Sequence, residues 1–84
     1  GNMSIETPPL KKMPRGPRKG EVLAMFPDQP ERDLRHEMNC LIRKHRGIPE
    51  GTRVYAKTLR FPEFKELIEK GYGWPQGYEK FFRQ

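Results

Sequence analysis

The sequence predicts a mainly α-helical fold, a small bundle of three to four short helices with a disordered basic N-terminal arm. The 84-residue chain has the length of one small domain. Its clearest pattern is an amphipathic helical stripe in residues 30–45. Its single cysteine, Cys40, cannot form an intrachain disulfide, which excludes a disulfide-stapled scaffold. Residues 52–61 suit a strand, but no neighbouring strand is visible to pair with them.

The first twenty residues predict the arm. They hold four prolines and three glycines and few large apolar side chains. Such a segment cannot bury enough surface to offset the entropy of ordering it. Its five basic residues are Lys11, Lys12, Arg15, Arg18 and Lys19.

Residues 21–29 form an apolar linker between the arm and the helical domain of residues 30–84. Its apolar residues are Val22, Leu23, Met25 and Phe26, and Pro27 stops any helix at Phe26 or earlier. The cluster either closes the helical bundle or docks on a protein partner by folding against it. The first interpretation is favoured, because an exposed apolar cluster promotes aggregation.

The helical domain opens with the most clearly marked element. Its stripe residues lie at i, i+4, i+7 and i+8, and they are Leu34, Met38, Leu41 and Ile42. The spacing predicts a helix from about Pro30 to His45, with Gly47 as the C-terminal stop.

The rest of the domain carries weaker patterns. Residues 52–61 fit a helix or a strand, and the missing partner strand favours the helix. A helix is predicted from Pro62 to Lys70, because its apolar residues recur at helical spacing. A last short helix is predicted for residues 75–83.

Positive charge is the strongest functional signal. The net charge is +6 and the pI about 9.8, which favours polyanionic partners. The excess lies in residues 1–20, with five Lys or Arg against one Glu, and in residues 53–84, with seven Lys or Arg against four Glu. Besides the five arm residues, the predicted phosphate contacts are Arg43, Lys44 and Arg46 at a helix end and Arg53, Lys57 and Arg60 on one face. The competing interpretation is an ordinary solubilising surface.

Five of the nine aromatic residues lie in residues 71–82. Phe81 and Phe82 are predicted as core because they sit at helical spacing in a chain short of other core material. Tyr72, Trp74 and Tyr78 suit either the core or a protein interface, where Tyr and Trp dominate binding energy.

Metal and catalytic chemistry are not indicated. His36, Cys40 and His45 are the soft candidate ligands, but His45 falls on the opposite side of the helix from His36, and a structural zinc site needs four converging ligands. No nucleophile elbow, phosphate-binding loop or metalloprotease helix is present. We therefore predict no metal, no cofactor and no catalytic residue.

The predicted function is a small non-enzymatic nucleic-acid-associated module, with RNA and DNA both open. The alternative is a protein-interaction module, a regulator or adaptor of a larger assembly, which docks through residues 72–78 and the cluster of residues 22–26. No apolar run approaches the length of a membrane span, and no signal-peptide pattern is visible. Both observations favour an intracellular location, in the cytoplasm or the nucleus.

Overall fold

The longest helix, α2, spans Glu31–Arg46 in the computed structural model, which describes residues 9–80. Leu34, Met38 and Ile42 on one side of the helix are buried. Acidic residues in the first turn and basic residues in the last turn both complement the helix dipole. The helix ends at Gly47, which adopts φ 67°, a left-handed conformation that glycine tolerates without strain. This confirms the predicted helix from about Pro30 to His45.

Two shorter helices pack on α2. Helix α1 spans Lys19–Met25 and α3 spans Phe61–Glu66, which continues as a π-helical segment over Leu67–Tyr72. The mainly helical fold class is thus confirmed. The predicted helix from Pro62 to Lys70 falls within these last two elements. Gly73 N–H donates to the Ile68 carbonyl at 2.9 Å, the i to i+5 spacing of a π-helix.

The core lies between the helices and draws on every part of the described chain. Helix α1 contributes Val22 and Met25 and is followed by the buried Phe26, so the apolar cluster of residues 22–26 packs inside the bundle. Leu23 is partly buried against the same core. The buried apolar residues are Met13, Val22, Met25, Phe26, Leu34, Met38, Ile42, Leu59, Phe64, Leu67 and Ile68.

The predicted arm, residues 1–20, divides at the start of the described chain: residues 1–8 lie outside it, and residues 9–20 run along the helical body. Met13 and Pro17 are buried. The Pro17 carbonyl accepts the Leu59 N–H at 2.8 Å. Gly16 lies close to the same stretch of chain: a Cβ atom on residue 16 would lie 3.3 Å from the Leu59 carbonyl oxygen. A proline has no N–H but keeps its carbonyl as an acceptor, so a proline-rich segment can still be fastened in this way.

The helix favoured for residues 52–61 is wrong over residues 52–60, which contain no helical residue and pair with the arm at Thr58; we call this stretch the extended segment. Lys19 N–H donates to the Lys57 carbonyl at 2.9 Å, and an isolated bridge pairs Arg18 with Thr58. The pairing partner of this segment is therefore the arm and not a neighbouring hairpin strand. Exposed and partly buried residues alternate from Arg53 to Lys57, as in the strand that the sequence also allowed. The alternation ends there, because Thr58 is exposed and Leu59 is buried.

The helix predicted for residues 75–83 is wrong over residues 75–80. Lys11 pairs with Tyr78 instead: Lys11 N–H donates to the Gly77 carbonyl, and Glu79 N–H donates to the Lys11 carbonyl, both at 2.8 Å. Gly77 adopts φ 82°, which interrupts a helix. Phe81 and Phe82, predicted as core, lie outside the described residues.

Candidate nucleic-acid interface

An open groove of about 610 Å³ lies between the start of α1, the first half of α2 and the extended segment. Five basic residues line it, and we call this feature the basic groove. They are Arg18, Lys19, Arg35, Arg53 and Lys57. Gly20, Glu21, Val54, Tyr55 and Ala56 complete the lining.

Backbone pairing between the arm and the extended segment brings the basic residues together. The hydrogen bond from Lys19 N–H to the Lys57 carbonyl and the bridge between Arg18 and Thr58 set these two stretches side by side. Residues nearly forty positions apart in the sequence thus share one groove. Arg35 joins them from the exposed surface of α2, where its Nε also donates to Glu31 Oε2 at 2.9 Å.

Glu21 is the one acidic residue in the lining. Its Oε1 accepts the Arg18 backbone N–H at 2.9 Å, which forms part of the capping of α1. Because the carboxylate is engaged with the positive end of the helix dipole, it offsets the five basic side chains only in part. The lining of the groove therefore carries a net positive formal charge.

Burial and nearby positive charges both act on the ammonium group of Lys19. Burial lowers the pKa of its ammonium group from the usual 10.5, and nearby positive charges lower it further. These charges belong to Arg35, Arg46 and Arg43. The Lys19 Nζ donates to Asn39 Oδ1 at 2.5 Å. A phosphate in the groove would relieve this crowding of like charge.

Tyr55 stands in the groove with 78% of its surface exposed. The Arg53 guanidinium lies 5.6 Å from the centre of its ring, within the range of a cation–π interaction. Tyr55 alternates with the partly buried Val54 and Ala56, as extended backbone requires. Tyr55 is not singled out in the sequence, because a helix over residues 52–61 places it on the apolar stripe. The alternation of residues with period two is the pattern that could have indicated an exposed position for Tyr55.

The basic run at the end of α2 takes part in holding the fold together. Arg43 Nε donates to the Thr52 carbonyl at 2.8 Å. Lys44 Nζ pairs with Glu66 at 2.6 Å, and Arg46 Nε pairs with Glu63 at 2.7 Å. None of these three predicted contacts lines the basic groove.

The four remaining predicted phosphate contacts also lie outside the groove lining. Lys11 Nζ lies 5.8 Å from the centre of the Tyr78 ring, and the Arg15 guanidinium lies 4.2 Å from the centre of the Phe61 ring. Lys12 is exposed. Arg60 is exposed at the N-cap of α3.

The aromatic residues near the C-terminus line a separate cleft of about 340 Å³. Tyr72, Trp74 and Tyr78 are each partly buried and pack against the core. The Phe26 and Tyr72 rings lie 5.6 Å apart, centre to centre. Trp74 Nε1 donates to the Tyr78 carbonyl at 3.2 Å, so the indole N–H serves the turn that carries it.

The residues considered as metal ligands do not converge. Cys40 Sγ lies 3.5 Å from His36 Nε2 on α2, whereas His45 Nε2 lies 2.9 Å from Glu66 Oε1. Within residues 9–80, no group of three or more His, Cys, Asp or Glu side chains is placed to hold a metal ion. The helices of this part of the chain are all too short or too polar to cross a membrane.

Comparison of the chain with models of known protein families, with curated proteins and with solved structures gives no match.

Proposed function

We propose that this chain is a small nucleic-acid-binding module whose basic groove holds a phosphate backbone. One observation carries the proposal: five basic side chains from three separate parts of the chain converge on one groove. Each phosphate that such a groove neutralises releases condensed counterions, which makes binding favourable and dependent on salt.

An ordinary solubilising surface explains this arrangement less well. Such surfaces intersperse charges of both signs, and the acidic residues elsewhere in this chain follow that rule: Glu66 lies beside Lys44, and Glu69 beside Lys65. In the groove, Arg35 pairs with Glu31, and the other four basic residues face a single carboxylate that already caps α1. Burial is the main cause of the lowered pKa of Lys19, and the positive charge of Arg35 in the groove adds to it.

The proposal reduces the predicted phosphate contacts to the residues that line the groove. It keeps Arg18, Lys19, Arg53 and Lys57 and adds Arg35. Phosphate contact by the other basic residues of the arm stays a prediction that the groove does not require.

The test is a fluorescence-anisotropy titration of the full chain with short RNA and DNA, single- and double-stranded, at about 50 and 200 mM salt. One variant removes three charges from the groove, Arg35→Ala with Arg53→Ala and Lys57→Ala. Its matched control removes three exposed charges outside the groove, Arg32→Ala with Lys70→Ala and Lys80→Ala.

We expect the groove variant to lower the slope of log affinity against log salt by about 2, because each lost contact to a single strand contributes about 0.7. The control should keep nearly the wild-type slope, although both variants carry the same net charge. Equal losses in the two variants would assign binding to overall charge. No binding to any of the four probes at 50 mM salt would overturn the proposed function.

Protein interaction is the second candidate, and one observation favours it: Tyr72, Trp74 and Tyr78 line a common cleft. Burial of Val22, Met25 and Phe26 in the core removes most of the other predicted docking segment from the surface. The salt series separates the two candidates, because docking through aromatic anchors changes little with salt, whereas phosphate contacts weaken steeply.

A further inference from the structure

We infer that the basic groove accepts a single strand and not a duplex, with one unpaired base stacked on Tyr55. The inference rests on the proposed nucleic-acid function and specifies its ligand. Exposed aromatic rings interleaved with basic residues form the stacking platforms of single-strand binding proteins.

The inference depends more on where Tyr55 lies than on how exposed it is. A single exposed apolar residue on a protein surface is ordinary. Tyr55, however, lies among the five basic side chains of the groove, and the residue remains 78% exposed even with Arg53 beside it. A ring in this position meets whatever the basic side chains bind.

The order of the side chains along the extended segment matches the layout of a nucleotide chain. Arg53, Tyr55 and Lys57 are alternate residues, so successive members lie roughly 6.6 Å apart along the backbone. The order is cation, ring, cation. In a nucleic-acid strand each base likewise hangs between two consecutive phosphates, so one stacked base can present both of its flanking phosphates to Arg53 and Lys57.

The segment is held in place before any ligand arrives. Arg43 Nε fixes one end through the Thr52 carbonyl at 2.8 Å, and Lys19 N–H fixes the other through the Lys57 carbonyl at 2.9 Å. Val54 and Ala56 pack against the core between these two points. A ring on such a support loses little freedom on binding, which lowers the entropic cost of association.

A duplex cannot use Tyr55 in this way. Its bases are already stacked on one another, and exposing a base face requires unstacking that costs a few kcal/mol per step. A single strand offers its base faces without that cost. The arrangement of ring and charges therefore discriminates between the two forms.

The experiment compares a 15-nucleotide oligothymidylate or oligouridylate with a mixed-sequence duplex of the same length, using the full chain and its Tyr55→Ala and Tyr55→Phe variants. We expect the wild type to bind the single strands more tightly than the duplex. Tyr55→Ala should weaken single-strand binding by roughly five- to a hundredfold, the range for loss of one stacked base, and should leave duplex binding and the salt slope unchanged. Tyr55→Phe keeps the ring and should bind like the wild type.

The outcomes separate this inference from the proposed function. Equal binding of single strand and duplex, with no loss in Tyr55→Ala, overturns the stacking inference while phosphate binding in the groove stands. Failure of both probes to bind overturns the proposed function and the inference together. Circular dichroism checks that Tyr55→Ala folds; its exposed position predicts an unchanged melting temperature.

Discussion

Glu63 is fully buried, and its two carboxylate oxygens accept hydrogen bonds from the Arg46 guanidinium, at 2.7 Å from Nε and 2.9 Å from Nη2. Glu63 Oε1 also accepts the Arg60 backbone N–H at 2.7 Å, and Arg46 Nη2 donates to the Thr58 carbonyl at 3.0 Å. One ion pair therefore joins the end of α2, the extended segment and the start of α3. The groove residues Arg53 to Lys57 precede this junction in the chain.

Arg46→Ala is expected to lower the free energy of unfolding by about 3 kcal/mol, because it leaves a buried carboxylate without its charged partner. Urea denaturation monitored by circular dichroism measures the change. Arg35→Ala is the control, since the exposed Arg35–Glu31 pair at 2.9 Å contributes less than about 0.5 kcal/mol. Comparable losses in the two variants would show that the buried pair has no special role.

The same ion pair predicts how stability depends on pH. Burial alone would raise the pKa of Glu63, but hydrogen bonds from Arg46 and from the Arg60 N–H hold it below the usual 4.5. The unfolded chain then binds more protons than the folded chain as the pH falls below that value. Stability contributed by Glu63 is therefore complete near pH 7 and is lost in acid.

Glu63→Gln tests this pH dependence, because it removes the titrating group and keeps the shape of the side chain. At pH 7 the wild type should have the larger free energy of unfolding. Between roughly pH 5 and pH 3 the difference between the two proteins should narrow. A difference that stays constant over this range would contradict a lowered pKa at Glu63. Glu66, whose pKa is lowered by hydrogen bonds from Lys44 and His45, adds a slope common to both proteins.

Local signals account for the parts of the fold that the sequence predicted. The stripe of α2 and its stop at Gly47 are encoded within a few turns of one helix. Residues 52–60 and 75–80 were mispredicted because their hydrogen bonds go to residues far away in the chain: Lys57 and Leu59 pair with the arm, and Gly77 pairs with Lys11. Composition and periodicity carry no information about hydrogen bonds between residues that are far apart in the sequence.

The candidate site, like the fold, could be predicted from the sequence only in part. Arg18, Lys19, Arg53 and Lys57 were named from charge alone, and the structure brings them into one groove. Arg35 was missed because it lies on α2 beside Glu31, where it resembles an ordinary solvent-exposed pair. Lys44 and Arg46 look identical to the groove residues in the sequence, yet the structure pairs them with Glu66 and Glu63.

The arm provides the clearest test of this non-local packing, since its composition predicts disorder. Met13 is 8% exposed and packs in the core, whereas the nearby Leu10 is 52% exposed. Met13→Ala should therefore lower the free energy of unfolding by about 2 kcal/mol or more through lost burial and the cavity left behind. Leu10→Ala should change it by less than about 0.5 kcal/mol.

Urea denaturation of the full chain measures both variants under the same conditions. If the arm were detached in solution, Met13→Ala and Leu10→Ala would be equally neutral, and the groove would lose the support that places Arg18 and Lys19 beside Lys57. The nucleic-acid affinity of Met13→Ala, measured well below the denaturation midpoint, relates docking of the arm to binding in the groove. It should fall relative to Leu10→Ala, because weaker docking of the arm costs the groove two of its five basic side chains.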